Sequence, residues 1–166
     1  MAEGNATAIA TSGNGRPDVS TALEPVLTRL RAGYRGEPFP TAAARRDRLR
    51  RLDAMVRANR RRIADAANVD FGHRATAETE LIEIAPLLAE IRHAHTHLRR
   101  WMRPERRGKA LEFFSLRNRV LYQPLGVIGI MSPLTYPLRL SLGPLVDVLA
   151  AGNRAMLKPS ELSPAV

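Results

Sequence analysis

Two short segments in the last third of the sequence carry side chains able to act on a small ligand. One is the proline-flanked turn Met131-Ser132-Pro133-Leu134-Thr135-Tyr136-Pro137, which holds three hydroxyls. The other is Lys158-Pro159-Ser160-Glu161, a cation and a carboxylate three residues apart. Such a pair offers a donor and an acceptor suited to a ligand's hydroxyl groups, although spacing alone does not separate it from two ordinary loops. His93 and His97 share a helical face with Glu90 one turn earlier, a conceivable metal half-site. Neither an HExxH pattern nor a third well-placed ligand accompanies them, so exposed histidines and no metal are expected. Glu78, Glu80 and Glu83 read as acids favouring a helix N-terminus rather than as an acid/base pair. The chain has no cysteine, which removes a thiol nucleophile, a disulfide framework and a cysteine-ligated metal from these residues. No GxGxxG, Walker-type or GxSxG pattern occurs, and Gly126 and Gly129 are too sparse for a phosphate loop.

The elements around the two segments form a recognisable unit. Residues 126–131 are a short, continuously apolar run, expected as a strand buried on both faces. After the turn comes a largely apolar helix, expected from about Leu138 to Ala151 with Gly152 just past its end. Arg154 to Lys158 reads as a second strand. Strand, helix, strand in that order is a βαβ crossover. It brings residues 131–137 and 158–161 to the carboxyl edge of a parallel sheet, where open α/β sheets bind ligands. Two strands apolar on both faces need further cover. Ser163 followed by Pro164 reads as the start of another helix.

Upstream, residues 1–20 are expected as a disordered tail and 21–107 as a helical region. A short helix is expected over residues 21–30. Thr41 then caps a long helical pattern with Leu49, Leu52, Val56, Ile63 and Ala66 on one face. The opposite face holds Arg45, Arg46, Arg48, Arg50, Arg51, Arg57, Arg60, Arg61 and Arg62, expected in water. A second pattern runs from about Thr76 to Met102, with Leu81, Ile84, Leu88, Ile91, Leu98 and Trp101 on one face and a break or kink at Pro86. Residues 108–166 comprise an antiparallel arm strand near 112–123, signalled by Val120 and Tyr122, and the βαβ unit.

At 166 residues the chain has the size of one ordinary domain. Its formal net charge is +10, and Lys109 and Lys158 are its only lysines. Such a chain is drawn to polyanions at low salt. No aromatic side chains interleave with the arginines of residues 45–62, so bases find no stacking platform and nucleic-acid binding is not the leading expectation. No apolar run is long enough to span a bilayer, and the first twenty residues lack the signature of a secretory signal; a cytoplasmic protein is expected.

The segment Pro124-Leu-Gly-Val-Ile-Gly-Ile-Met-Ser-Pro-Leu-Thr-Tyr-Pro137, followed by Ala150-Ala-Gly-Asn-Arg-Ala-Met-Leu-Lys-Pro-Ser-Glu161, closely resembles the aldehyde dehydrogenase superfamily. Asp70-Phe-Gly-His-Arg74, Glu78-Thr79 and Trp101-Met102 are similar to its bacterial coniferyl aldehyde dehydrogenase branch. The resemblance covers roughly residues 20–166 and the amino-terminal third of a family member. It implies an α/β fold with amino-terminal helices and an incomplete Rossmann-like parallel sheet, and an NAD(P)+-dependent oxidation of an aldehyde to an acid. In the family a cysteine thiolate attacks the aldehyde, hydride leaves to NAD or NADP, and a glutamate-activated water hydrolyses the thioester.

By position in the resemblance, Met131, Ser132 and Pro133 line the cofactor cleft, and Lys158 and Glu161 hold the adenosine ribose. The family's turn carries an asparagine, whose amide donates to the oxyanion, where this sequence has Thr135, a shorter donor of different geometry. The catalytic cysteine and general-base glutamate of the family have no counterpart in these residues. The chain is therefore expected to be an amino-terminal portion, inactive and a weak nicotinamide binder alone. A non-catalytic module, pairing with a missing carboxyl-terminal fragment or a second copy of itself, is the alternative, followed by an arginine-rich nucleic-acid binder. The identity of the aldehyde and the choice between NAD and NADP are left open.

Overall fold

The computed structural model describes residues 19–108 and 117–166. Most of the expected tail, and residues 112–116 of the expected arm strand, lie outside them. Among the described residues, six α-helices and four strands follow in order: α1 (Val19–Gly36), α2 (Ala42–Ala58), α3 (Arg60–Phe71), the single turn α4 (Thr76–Glu78), a π-helical segment (Thr79–Ile84), α5 (Ala85–Trp101), β1 (Glu105–Arg106), β2 (Arg119–Val120), β3 (Val127–Met131), α6 (Pro137–Ala151) and β4 (Arg154–Lys158).

Thr41 caps α2 as its sequence context predicts, its hydroxyl accepting the Ala44 amide at 3.2 Å. The long pattern divides at Asn59 into α2 and α3. Helix α1 runs past Gly33 because tertiary contacts hold its last turn. The Tyr34 hydroxyl donates to the Pro124 carbonyl at 3.0 Å, and Arg154 Nη2 donates to the Gly33 carbonyl at 3.1 Å.

The core is a three-helix contact. Leu49, Leu52 and Val56 of α2 meet Leu87, Leu88, Ile91, Ala94 and Leu98 of α5, and Leu138, Leu142, Val146 and Ala150 of α6 close it. Four of the six residues predicted for the second helical face, Ile84, Leu88, Ile91 and Leu98, are buried, but Leu81 is 72% exposed. The cause is the π-helical segment, in which the Ala85 amide donates to the Glu80 carbonyl, one residue further back than in an α-helix. The extra residue rotates Leu81 outward. Pro86, with no amide to donate, sits in the first turn of α5, where the wider winding ends. Trp101, predicted on the same face, is 43% exposed at the helix end.

Strands β3 and β4 pair in parallel, with Val127 opposite Arg154 and Met131 opposite Lys158. Helix α6 connects them and packs on both, and α1 also contacts them. The expected burial of β3 on two faces is not met: Ile130 is buried, Val127 and Ile128 are half-buried, and Met131 is 81% exposed. A two-stranded sheet has too few neighbours to cover both sides of a strand. Strands β1 and β2 form a separate two-residue antiparallel ladder. The helix expected from Ser163 is not formed; Ala165 and Val166 instead donate their amides to the Asp70 carboxylate at 3.1 and 3.0 Å. Too few residues follow Ser163 to close an α-helical hydrogen bond.

Candidate active site

The parallel register brings the two candidate segments together. Met131 ends β3 beside Lys158 at the end of β4, and the Ser132 amide donates to the Lys158 carbonyl at 3.0 Å. Both segments therefore leave the carboxyl edge of the sheet side by side, as the βαβ reading requires. Lys158 Nζ bonds Glu161 across the short turn that follows β4. That hydrogen bond, reinforced by a backbone bond and the lysine's charge, holds the Glu161 carboxyl below its ordinary pKa. Glu161 is thus an ionised acceptor and Lys158 a donor, both exposed, a chemistry that fits a vicinal diol.

The turn residues divide by role. Met131, Pro133 and Thr135 are exposed. Ser132 is buried, and its hydroxyl points back at the Pro137 and Pro133 carbonyls, 3.2 and 3.3 Å away. With its amide given to Lys158, it braces the turn. Tyr136 adopts φ 49° and ψ 60°, and the next residue begins α6. Thr135 opens onto a cleft of about 370 Å³ whose far wall is the loop after α3, with Phe71, Gly72, His73 and Arg74.

Two charged residues that the sequence pattern did not place in the core are buried at the ends of α6. Glu83, expected as a first-turn acid of its own helix, is 1% exposed. Its Oε2 accepts the Arg139 amide in the first turn of α6 at 3.1 Å, and its Oε1 lies 3.1 Å from Arg74 Nη1. It does serve a helix N-terminus, but the one across the core. Arg45, expected on the solvated face, is 6% exposed. Its guanidinium donates to the carbonyls of Pro40 (2.9 Å), Ala150 (3.1 Å) and Ala151 (2.8 Å). Burial, with repulsion from Arg48, pulls its pKa below the ordinary value. A signal for Arg45 existed: it lies four residues before Leu49 and seven before Leu52, on the apolar stripe itself.

The remaining motifs do less. The rings of His93 and His97 stack at 4.1 Å, with His97 Nδ1 2.9 Å from the His93 carbonyl. They line a wider cleft of about 940 Å³ with Trp101, Arg103, Tyr122 and Asp147, which contains none of the predicted ligand residues. Among the described residues no group of three or more histidine, aspartate or glutamate side chains is placed to hold a metal. Several arginines of α2 and α3 carry partners: Arg50 and Arg51 with Asp47, Arg57 with Asp53 at 2.7 Å, and Arg60 with Glu80. No helix among the described residues is long and apolar enough to cross a membrane.

Comparison with known proteins agrees with this geometry. Residues 37–166 match the model of the aldehyde dehydrogenase family. The chain is 42% identical over 151 residues to a coniferyl aldehyde dehydrogenase of a Pseudomonas species, covering 91% of this chain and 31% of that protein. It is 36% identical over 141 residues to human aldehyde dehydrogenase family 3 member B1, covering 85% and 30%. The fold superposes on Staphylococcus aureus AldH, a structure in a substrate-bound state, with a TM-score of 0.83 at 26% identity, covering 86% and 31%. The chain spans about three tenths of the length of these relatives.

Proposed function

The chain belongs to the aldehyde dehydrogenase family, and from that premise we propose that it forms the amino-terminal part of an NAD(P)+-dependent aldehyde dehydrogenase site, with an aromatic aldehyde of the coniferyl type as substrate. The observation that carries this reading is the pairing of Met131 with Lys158, which sets the 131–137 turn and the Lys158–Glu161 pair at one edge of a parallel sheet.

When bound, the nicotinamide dinucleotide supplies the hydride acceptor. In this chain Lys158 and Glu161 hold the hydroxyls of its adenosine ribose, one donating and one accepting. The exposed Met131 side chain and the Ser132–Pro133 backbone form the adjacent wall. Thr135 offers one hydroxyl donor toward the aldehyde oxygen, where its shorter reach makes it weaker than an amide. Losing one such donor costs on the order of 10²–10³ in rate. The thiol and the base for hydrolysis belong to other parts of a complete site, and the isolated chain has no turnover. A cytoplasmic location suits a dinucleotide-linked oxidation and remains part of this proposal.

The test joins this chain in frame to the remaining residues of the 42% identical Pseudomonas relative. Coniferyl aldehyde oxidation is then followed by reduced-nicotinamide absorbance. Activity is expected in the joined protein, with Lys158→Ala raising KM for the dinucleotide more than it lowers kcat. Thr135→Asn is expected to raise kcat. A folded joined protein that binds the dinucleotide but oxidises no aldehyde defeats the reading.

A second reading, pairing of the chain with a carboxyl-terminal segment or a second copy, is favoured by the exposure of Leu125 (86%) and Met131 (81%). A chain that elutes as a monomer at high concentration in size-exclusion chromatography counts against the second copy.

A further inference from the structure

The cleft beside Thr135 has two walls, and one guanidinium joins them. Arg74 Cζ lies 4.7 Å from the Phe71 ring centroid on the α3 side and 4.8 Å from the Tyr136 ring centroid on the turn side. Both distances are within the range of cation–π attraction. Its Nη1 is 3.1 Å from Glu83 Oε1 and its Nε 3.3 Å from Glu78 Oε1. The Arg74 side chain is 6% exposed and that of Glu83 1%. The Asn68 amide holds the Arg74 carbonyl at 3.0 Å, and Glu83 holds the Arg139 amide, three residues after Tyr136.

The backbone on both walls is left-handed: His73 has φ 72° and Tyr136 φ 49°. Histidine is among the types that tolerate it, but for tyrosine it is uncommon, and such a conformation persists where the surroundings over-determine it. A buried ion pair adds little stability over a well-packed apolar replacement, and its best-attested use is to specify one arrangement. Here the arrangement specified is that of the turn.

We propose that Arg74 and Glu83 are positioning residues that lock the 133–137 turn through Tyr136 and the first turn of α6, and so fix where the Thr135 hydroxyl sits. The catalytic meaning of this lock rests on Thr135 being the donor at the aldehyde oxygen. The lock itself is a property of this chain and is measurable without any aldehyde.

The experiment labels threonine and isoleucine methyls with ¹³C in the full 166-residue chain and measures methyl order parameters by NMR relaxation. Thr135 is expected to be as ordered as Ile84 and Ile130. In the double variant Arg74→Met, Glu83→Leu, the order parameter of Thr135 should fall by roughly one third, the difference between rigid and flexible segments, while Ile84 and Ile130 hold theirs. Tyr136→Asn accepts the left-handed backbone but gives Arg74 no ring, and it should loosen Thr135 in the same way without touching the core. If the double variant does not fold, Tyr136→Asn decides. A Thr135 methyl already mobile in the unaltered chain overturns the proposal. So does one that stays ordered in Tyr136→Asn, or one that loosens there only together with Ile84 and Ile130. Because no turnover is read, failure of the lock is distinct from failure of the joined protein to oxidise aldehyde.

Discussion

The two ends of α6 are both held by a buried charge from the amino-terminal helices, yet they are built differently. At the carboxyl end, Arg45 reaches three backbone carbonyls, two of them the last of the helix, and faces no buried carboxylate. Cation meets dipole there, and the fit is tight: a Cβ added at Gly152 would lie 2.7 Å from Arg45 Cζ. At the amino end, Glu83 takes a single amide and shares itself with Arg74, which is in turn shared with Glu78 and two rings. One end is a seal and the other is a junction. A seal contributes to stability wherever it is placed, whereas a junction is of use where a neighbouring loop must take one conformation. The junction lies beside the candidate site, and the seal at the opposite end of the helix.

The largest effect is expected at the junction. Glu83→Ala leaves Arg74 buried with only Glu78 as a partner, and breaking a buried pair costs about 3–5 kcal/mol. Urea unfolding of the chain measures it; a loss below 1 kcal/mol would mean that Arg74 simply turns to solvent and joins nothing. The seal comes next. Gly152→Ala places a methyl against Arg45 and asks alanine to hold φ 91°. Overpacking of this kind costs about 1–3 kcal/mol, and the displaced guanidinium loses its carbonyls. If Gly152→Ala unfolds at the same urea concentration as the parent, the steric seal is not real.

The exposed pair sets the lower end of the scale. Glu161 titrates below its ordinary value of 4.5 because Lys158 donates to it. A depressed folded-state pKa contributes stability that is present above the unfolded value and is lost as pH falls through the folded one. For so exposed a pair the expected change in stability is close to nothing. The titration midpoint is the informative quantity: in Lys158→Met, an NMR titration should show Glu161 returning upward toward 4.5. An unmoved midpoint would mean that the pair does not form in solution, and with it would go the prearranged donor and acceptor for a ribose.

Much of this was legible from the residues in order, because it depends on neighbours in the chain. Thr41 announces its helix by a hydroxyl three residues from the amide it caps. Gly152, at φ 91°, ends α6 where the left-handed cap demands it. Residues 154–158 form the strand their pattern predicts, and the turn and lysine motifs identify the family. The amino-acid order also placed Met131 and Lys158 at one sheet edge, since a βαβ unit leaves little choice.

What only the tertiary structure decided is which partners the buried charges take. Arg45 belongs with Ala150 and Ala151, and Glu83 with Arg139, across separations in sequence that no periodicity links. The π-helical segment shifts register by one residue, so a period that groups Leu81 with Ile84 and Leu88 puts it inward when it is 72% exposed. A buried charge is tolerated only where its partners stand, and those partners come from other elements of the fold.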